Sequence, residues 1–277
     1  MVPAKPRIPL PIGRWTAIKL EHLEAYLRAY AIATKRARER YYIDGFAGCG
    51  DCVLRPTGVA VDGSAWRALR AEPPFTRCFF VELNPLLGAH LRSRMASYPR
   101  VEVFVGDCNT VIPAQVLPRV PREAPSLCFL DPTGPQVRWD TVKALASHRL
   151  GPRKMELLIL YPFDMFIGRW LNLPRMERVL TEFYGDVAWK DELRESERLR
   201  ETRTQRRARF VSLYLERLRG LGYAFVEAFG PLYSGHRALY HFVLATDHPV
   251  AHKIMSDVWR RARPVPGELG YQPRLTP

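Results

Sequence analysis

The stretch "YYIDGFAGCGDC", Tyr41–Cys52, decides the fold. An apolar, aromatic run stops at an acid, Asp44, and passes into a loop holding Gly45, Gly48 and Gly50. A continuous apolar run of this length reads as a strand buried on both faces, the kind found in parallel sheets. Glycines just beyond it let the backbone take positive φ and let a ligand approach closely.

The same pattern recurs downstream. Strand-length apolar runs appear at Tyr41–Phe46, Cys78–Glu82, Val101–Gly106, Leu127–Leu130 and Glu156–Tyr161. Helical segments separate them at Ser64–Ala71, Pro85–Tyr98, Asn109–Val116 and Trp139–Ser147. Upstream, Ile18, Leu20, Leu23, Leu27 and Tyr30 give Ala17–Arg38 a helical period, with Thr16 as its expected cap and a basic end. Alternating strands and helices predict a doubly wound sheet with right-handed crossovers. The last two strands, Tyr223–Phe229 and Leu239–Ala245, are joined by "GPLYSGHRA", too short for a crossover helix. They should form an antiparallel hairpin, followed by a helix over Val250–Arg263. The expected class is therefore α/β: a mostly parallel seven-stranded sheet with a terminal antiparallel hairpin, the layout of class I methyltransferases. Residues 1–277 read as one domain, and 163–222 as a helical insertion between the fifth and sixth strands. That insertion carries charge on nearly every turn, for which ion pairs at helical spacing such as Glu195 with Arg198 are the simple account. The other account is a cap whose arginines meet phosphates.

The 277 residues carry a formal charge of +14, which favours a polyanionic partner, nucleic acid first. Seven lysines against thirty-five arginines also fit a bias of base composition in the coding sequence. No apolar run approaches the roughly 20 residues of a membrane helix, and the proline-broken start lacks a secretory pattern. A cytoplasmic protein is expected. Five cysteines, an odd number, argue against a disulfide framework. Cys49 and Cys52 form a CxxC with no second metal-ligand pair, so no metal is expected.

Ligands of open parallel sheets bind beyond the carboxyl ends of the strands. Four expected strands end in or beside an acid: Asp44, Glu82, Asp107 and Asp131. Asp44, with Gly45, Phe46, Gly48 and Gly50, can hold the ammonium of an amino-acid group. Glu82, followed by Leu83, can accept both hydroxyls of a ribose. Asp107, with Cys108 and Asn109, can bond an adenine edge. Ammonium, ribose diol and adenine together match S-adenosylmethionine (SAM). A dinucleotide fits less well, because Val53 stands where the third glycine of GxGxxG belongs, and no Walker lysine follows. "LDPTG", Leu130–Gly134, has the form of the D-P-P-Y motif of amino-methyltransferases. Asp131, Pro132 and Tyr161 are the expected catalytic residues, with Asp131 orienting an exocyclic amine and also expected to contact the cofactor. The motif lacks its aromatic, so base stacking is expected from Tyr161, Phe163 or Trp139.

Taken in order, "WTAIKLEHLEAYL", "YIDGFAGCG", "DGS", "FFVELN", "GDCN", "FLDPTG", "ELLILYPF" and "LYHFVLATDHPVAHKIM" resemble the three-Cys-motif partner (TcmP) family over most of the chain. The resemblance implies a methyltransferase-like Rossmann fold, a SAM site, a lysine (Lys19) over its cofactor end, and a radical-SAM-like partner protein that carries the cysteine motif. Two departures stand out. Cys49 occupies a position usually proline, and "DPTG" replaces the commoner D-P-F-G, a form that looks like the motif of tRNA guanine-N2 dimethyltransferases. The expected function is SAM-dependent methylation of an exocyclic amine on a nucleic-acid base. The alternative is a non-catalytic binding subunit that keeps the fold.

Overall fold

The structure is a computed structural model that describes residues 8–150, 153–234 and 236–261. The chain divides into two compact units, Met1–Phe129 and Leu130–Pro277.

In unit 1, strand β1 (Leu10–Ile12) leads into helix α1 (Arg14–Ala33), then β2 (Tyr41–Asp44), β3 (Asp51–Leu54), β4 (Val59–Asp62), α2 (Ser64–Leu69), β5 (Arg77–Glu82), α3 (Pro85–Arg94), β6 (Val101–Val105), α4 (Cys108–Val111) and β7 (Ser126–Leu130). Strand β2 pairs in parallel with β5 on one side and β7 on the other, and β5 pairs in parallel with β6. Every residue of β2 and β7 is buried, as expected for central strands covered on both faces. Unit 2 holds α5 (Trp139–His148), β8 (Glu156–Tyr161), α6 (Gly168–Trp170), α7 (Glu177–Tyr184), α8 (Trp189–Arg198), α9 (Arg203–Gly220), β9 (Phe225–Ser234), β10 (Arg237–Thr246) and α10 (Pro249–Arg261). Strand β10 runs antiparallel to both β8 and β9. The complete sheet has the order β6-β5-β2-β7-β8-β10-β9. That order, with its reversed penultimate position, is the class I methyltransferase-like fold.

Local chemistry explains the element ends. Asn84 caps α3 by accepting from the Leu86 and Leu87 N–H groups, with Pro85 at the first helical position. Thr202 and Gln205 form a capping box at the start of α9. The cap expected at Thr16 is not made: α1 starts at the Gly13 cap, and Thr16 donates its own N–H to the Gly13 carbonyl. Helix α1 ends at Ala33 and not Arg38, because the Thr34 hydroxyl takes the Tyr30 carbonyl and the chain closes in turns. The segment "GPLYSGHRA" is also different from expectation. Strand β9 continues through it to Ser234 and β10 begins at Arg237. Register shifts between Ala238 and Phe242 absorb Gly230 and Pro231, the usual place for proline inside a sheet. Residues 262 and 263 of the expected last helix lie outside the described residues.

One element was not expected. β1, β3 and β4 form a separate three-stranded sheet in which β3 pairs in parallel with β1 and antiparallel with β4. It follows the glycine loop directly.

Two glycines separate backbone strain from packing. Gly58 has φ +73° with open space around a built Cβ, while Gly185 has φ +86° and a Cβ there would overlap the Trp139 ring. Gly58→Ala should cost about 1 kcal/mol, the left-handed penalty alone. Gly185→Ala should cost about 2–5 kcal/mol, because overpacking adds to it. Urea unfolding of both variants checks the difference.

Candidate cofactor site

The carboxyl ends of three adjacent strands of unit 1 bring Asp44, Glu82 and Asp107 to one edge. Asp44 is the last residue of β2 and Glu82 the last of β5. Val105 of β6 stands opposite Glu82 in register, the Gly106 N–H bonds the Glu82 carbonyl, and Asp107 follows. The edge is thus a consequence of parallel pairing.

Each acid also shapes its own turn. Asp44 is fully buried, and its Oδ1 accepts the Phe46 N–H at 3.0 Å. The Ala47 N–H bonds the Val81 carbonyl, and the Gly48 N–H bonds Glu82 Oε2 at 2.9 Å, so the glycine loop lies across the end of β5. Glu82 Oε1 accepts the Asn84 N–H at 2.7 Å. Gly48 and Gly50 have φ +62° and +80°, and a Cβ on Gly50 would come within 2.9 Å of Leu91 Cδ1. Asp107 caps α4, accepting from the Asn109 N–H and the Asn109 side-chain amide, both at 2.9 Å. Cys108 beside it is buried.

Apolar side chains are exposed at this edge. Leu83 is 63% exposed, Leu86 49% and Val105 38%, all within four residues of Glu82 or paired with it. Exposed apolar groups gathered beside convergent acids suit the face of an aromatic ligand. Lys19 is buried, 5.3 Å from the centre of the Trp15 ring, and its charge reaches the Cys52 thiol.

Beyond Gly50, Asp51 ties the loop to the helices. Its carboxylate accepts the Trp66 indole N–H at 2.9 Å and contacts His90 Nε2 at 2.8 Å and Arg94 Nε at 3.0 Å. Burial opposes ionisation of Asp51, but the His90, Trp66 and Arg94 contacts prevail and hold its pKa below the usual value. Sequence reading passed over this tie, for which the acid after the last glycine was the available signal.

In unit 2, Asp131 is half-buried and follows β7 directly. The "DPTG" turn is locked by Gln136, whose side-chain oxygen accepts both the backbone N–H and the hydroxyl of Thr133 at 3.0 Å. The buried Tyr240 points its hydroxyl to the Thr133 carbonyl at 3.4 Å. Burial first, then the Asp131 charge, raises the pKa of that phenol. Tyr161, expected at the catalytic centre, belongs to the core: it is fully buried, and its hydroxyl meets the Tyr184 hydroxyl at 2.5 Å and the Phe210 carbonyl at 2.9 Å. Phe163 and Trp139 are buried as well. The aromatic ring beside the turn is instead Phe166, half-buried, 3.5 Å from a Cβ built on Gly134 and edge-on to Trp170.

The five cysteines are free and buried. Burial pushes Cys52 up to about 11 and Cys78 and Cys108 up to about 12, with Cys49 and Cys128 raised too. Among the described residues, no group of three or more His, Cys, Asp or Glu is placed to hold a metal ion, and no helix is long and apolar enough to cross a membrane.

No protein-family model and no curated protein matches the chain. Solved structures similar to it include a Legionella pneumophila protein at 16% identity and TM-score 0.44, covering 61% of this chain and 74% of that one. An rRNA methylase from Streptococcus thermophilus is similar at 10% identity and TM-score 0.41, covering 86% and 99%. TYW2 of M. jannaschii in complex with AdoMet is similar at 12% identity and TM-score 0.37, covering 82% and 74%. The methyltransferase-like fold assignment rests on the strand order itself.

Thiol chemistry offers a direct check on this packing. At pH 8 the folded protein should react with Ellman's reagent far more slowly than the urea-unfolded chain. The shift at Cys52 alone leaves about a hundredfold less thiolate. Rapid labelling of Cys49 or Cys52 in the native state would contradict the buried loop.

Proposed function

We propose that the protein is a SAM-dependent methyltransferase acting on an exocyclic amine of a nucleic-acid base. The observation that supports this most is the edge of unit 1, where Asp44, Glu82 and Asp107 end three adjacent parallel strands and the glycine loop is bonded to the middle acid. When bound, SAM supplies an electrophilic methyl group.

The residues fit that cofactor. Asp44 and the left-handed turns at Gly48 and Gly50 would receive the amino-acid end. Glu82 spends one oxygen on each of two backbone N–H groups. A carboxylate has roughly four lone-pair sites, so capacity for two ribose hydroxyls is left. Asp107 and Asn109 would take the adenine edge, with Leu83 against its face.

Asp131 would accept an N–H of the acceptor amine and so fix where its lone pair points. Positioning of this kind can supply up to roughly 7–11 kcal/mol of a barrier. Phe166, beside the "DPTG" turn, would provide the ring on which the base stacks, a contact worth about 1–3 kcal/mol. The resemblance to TcmP proteins adds the expectation of a radical-SAM-like partner, which co-purification from the native host would reveal.

Addition of SAM at a hundredfold excess over its Kd should stabilise the folded state by about 2.7 kcal/mol, read as a raised melting temperature. Asp44→Asn and Glu82→Gln, which keep side-chain shape, should remove the shift. A transition moved by NADH and not by SAM would defeat the proposal.

Asp131→Asn should keep the SAM-induced shift while abolishing transfer of labelled methyl from SAM to total RNA or DNA. Loss of the shift in a folded Asp131→Asn protein would instead place Asp131 among the cofactor ligands. A wild-type protein that binds SAM but methylates neither polymer would favour the non-catalytic subunit.

A further inference from the structure

We propose that unit 1 carries a docking surface for the phosphodiester backbone of nucleic acid, made by Arg28, Lys35, Arg36 and Arg38. It extends the reading of a nucleobase acceptor by naming what would hold the polymer.

The first support is a contrast in pairing. Many arginines, half-buried and exposed alike, are neutralised by an acid. Arg67 pairs with Glu24, Arg77 with Glu102, and Arg94 with Asp51 in unit 1. The charged insertion of unit 2 behaves alike: Arg198 pairs with Glu195, Arg209 with Glu192 and Glu201, and Arg203 and Arg207 with Asp164. These arginines are occupied, and ion pairs hold much of the insertion. By contrast, among the described residues no carboxylate pairs with Arg28, Lys35, Arg36 or Arg38, and all four are exposed. The one acid within this run, Glu39, accepts the Tyr41 hydroxyl.

The second support is placement. Arg28 lies on the exposed face of α1, and Lys35, Arg36 and Arg38 follow in the turns just after its end at Ala33, all of them exposed. Ile32, 51% exposed, lies on the same face of α1 as Arg28. The chain then enters β2 through Arg40, whose N–H bonds the Thr76 hydroxyl and whose carbonyl accepts the Thr76 N–H. Lys35, Arg36 and Arg38 therefore lead into the amino-terminal edge of β2 and β5, with Arg28 in the last third of α1, while Asp44 and Glu82 stand at the other edge. Helix α1, at 20 residues, is about 30 Å long. A small acceptor held at the acidic edge would not reach that far, but a polymer can.

Favourable interaction with the helix dipole would account for one or two of these cations, at about 0.3–1 kcal/mol each. It does not account for four like charges held together without an acid. Their complement is a row of phosphates, whose contacts position a polymer without reading its sequence.

The test is anisotropy of labelled 20-nucleotide single-stranded RNA and DNA from 50 to 200 mM KCl, without SAM, so that cofactor binding and docking can fail separately. Replacing Lys35, Arg36 and Arg38 together by alanine should flatten the plot of log affinity against log salt by about 2, at roughly 0.7 per phosphate contact. Arg28→Gln, a single exposed change on α1, should flatten it by about 0.7. Replacing Arg178, Arg194 and Arg198 removes the same charge and should leave the slope unchanged. Equal flattening by both triple variants, or no binding of either strand by the wild type, would overturn the proposal. A preference for RNA or for DNA identifies the polymer, and equal affinity for both is what backbone contacts alone give.

Discussion

The grip of Glu82 on two backbone N–H groups is the interaction on which the site depends. Its two oxygens hold Gly48 on the preceding loop and Asn84 on the following turn. Charge-assisted bonds of this type contribute about 1.5–3 kcal/mol each to stability. They also fix position, since Glu82 ends a buried strand and cannot drift. Because Gly48 sits at φ +62° and Gly50 at +80° with Leu91 close by, these two positions favour glycine in this path. One carboxylate thus sets both the wall of the site and the backbone that faces it. A group already ordered by the protein imposes little further ordering cost on a ligand, which is the advantage of preorganisation.

Unit 1 is also polar from end to end in a way that follows from its strands. β2 follows Arg40 and ends at Asp44, β5 begins at Arg77 and ends at Glu82, and β6 follows Arg100 and leads to Asp107. Arg77 pairs with Glu102 at the start of the strands, so the separation is partial. The acidic edge favours a cationic group such as an ammonium or sulfonium, and the basic edge favours phosphate. A net charge of +14 alone would say nothing about where an anion binds.

The strand pattern was readable because burial on both faces demands unbroken apolar runs. Glu156–Tyr161 was legible to its ends, and the edge acids followed from the strand ends. The small sheet was not legible: β1, β3 and β4 are three or four residues long and half-exposed, too short for a period to emerge. The aromatic assignment failed for a related reason. Tyr161, Phe163 and Trp139 lie close in sequence to the strand end, but helices α7 and α9 of the insertion pack against them. Tyr161 meets Phe183 and Tyr214 at a tilt, and Trp139 meets Tyr214 edge-on. Phe166 escapes because the turn after β8 carries it to Gly134.

The same packing explains why several charges of the insertion are internally paired. Asp164 is 1% exposed, and a carboxylate buried to that degree requires compensation. Arg207 supplies it through two bonds of 2.5 and 2.9 Å, and Arg203 adds a third at 3.1 Å. Arg209 is spent in the same manner on Glu201 and Glu192. Guanidinium groups fixed in such forks lose little entropy on bonding and exchange poorly for a phosphate in water. Counting arginines therefore misleads. What a polyanion can use is the charge that remains after internal pairing, and in unit 1 that remainder includes Lys35, Arg36 and Arg38 just past the end of α1.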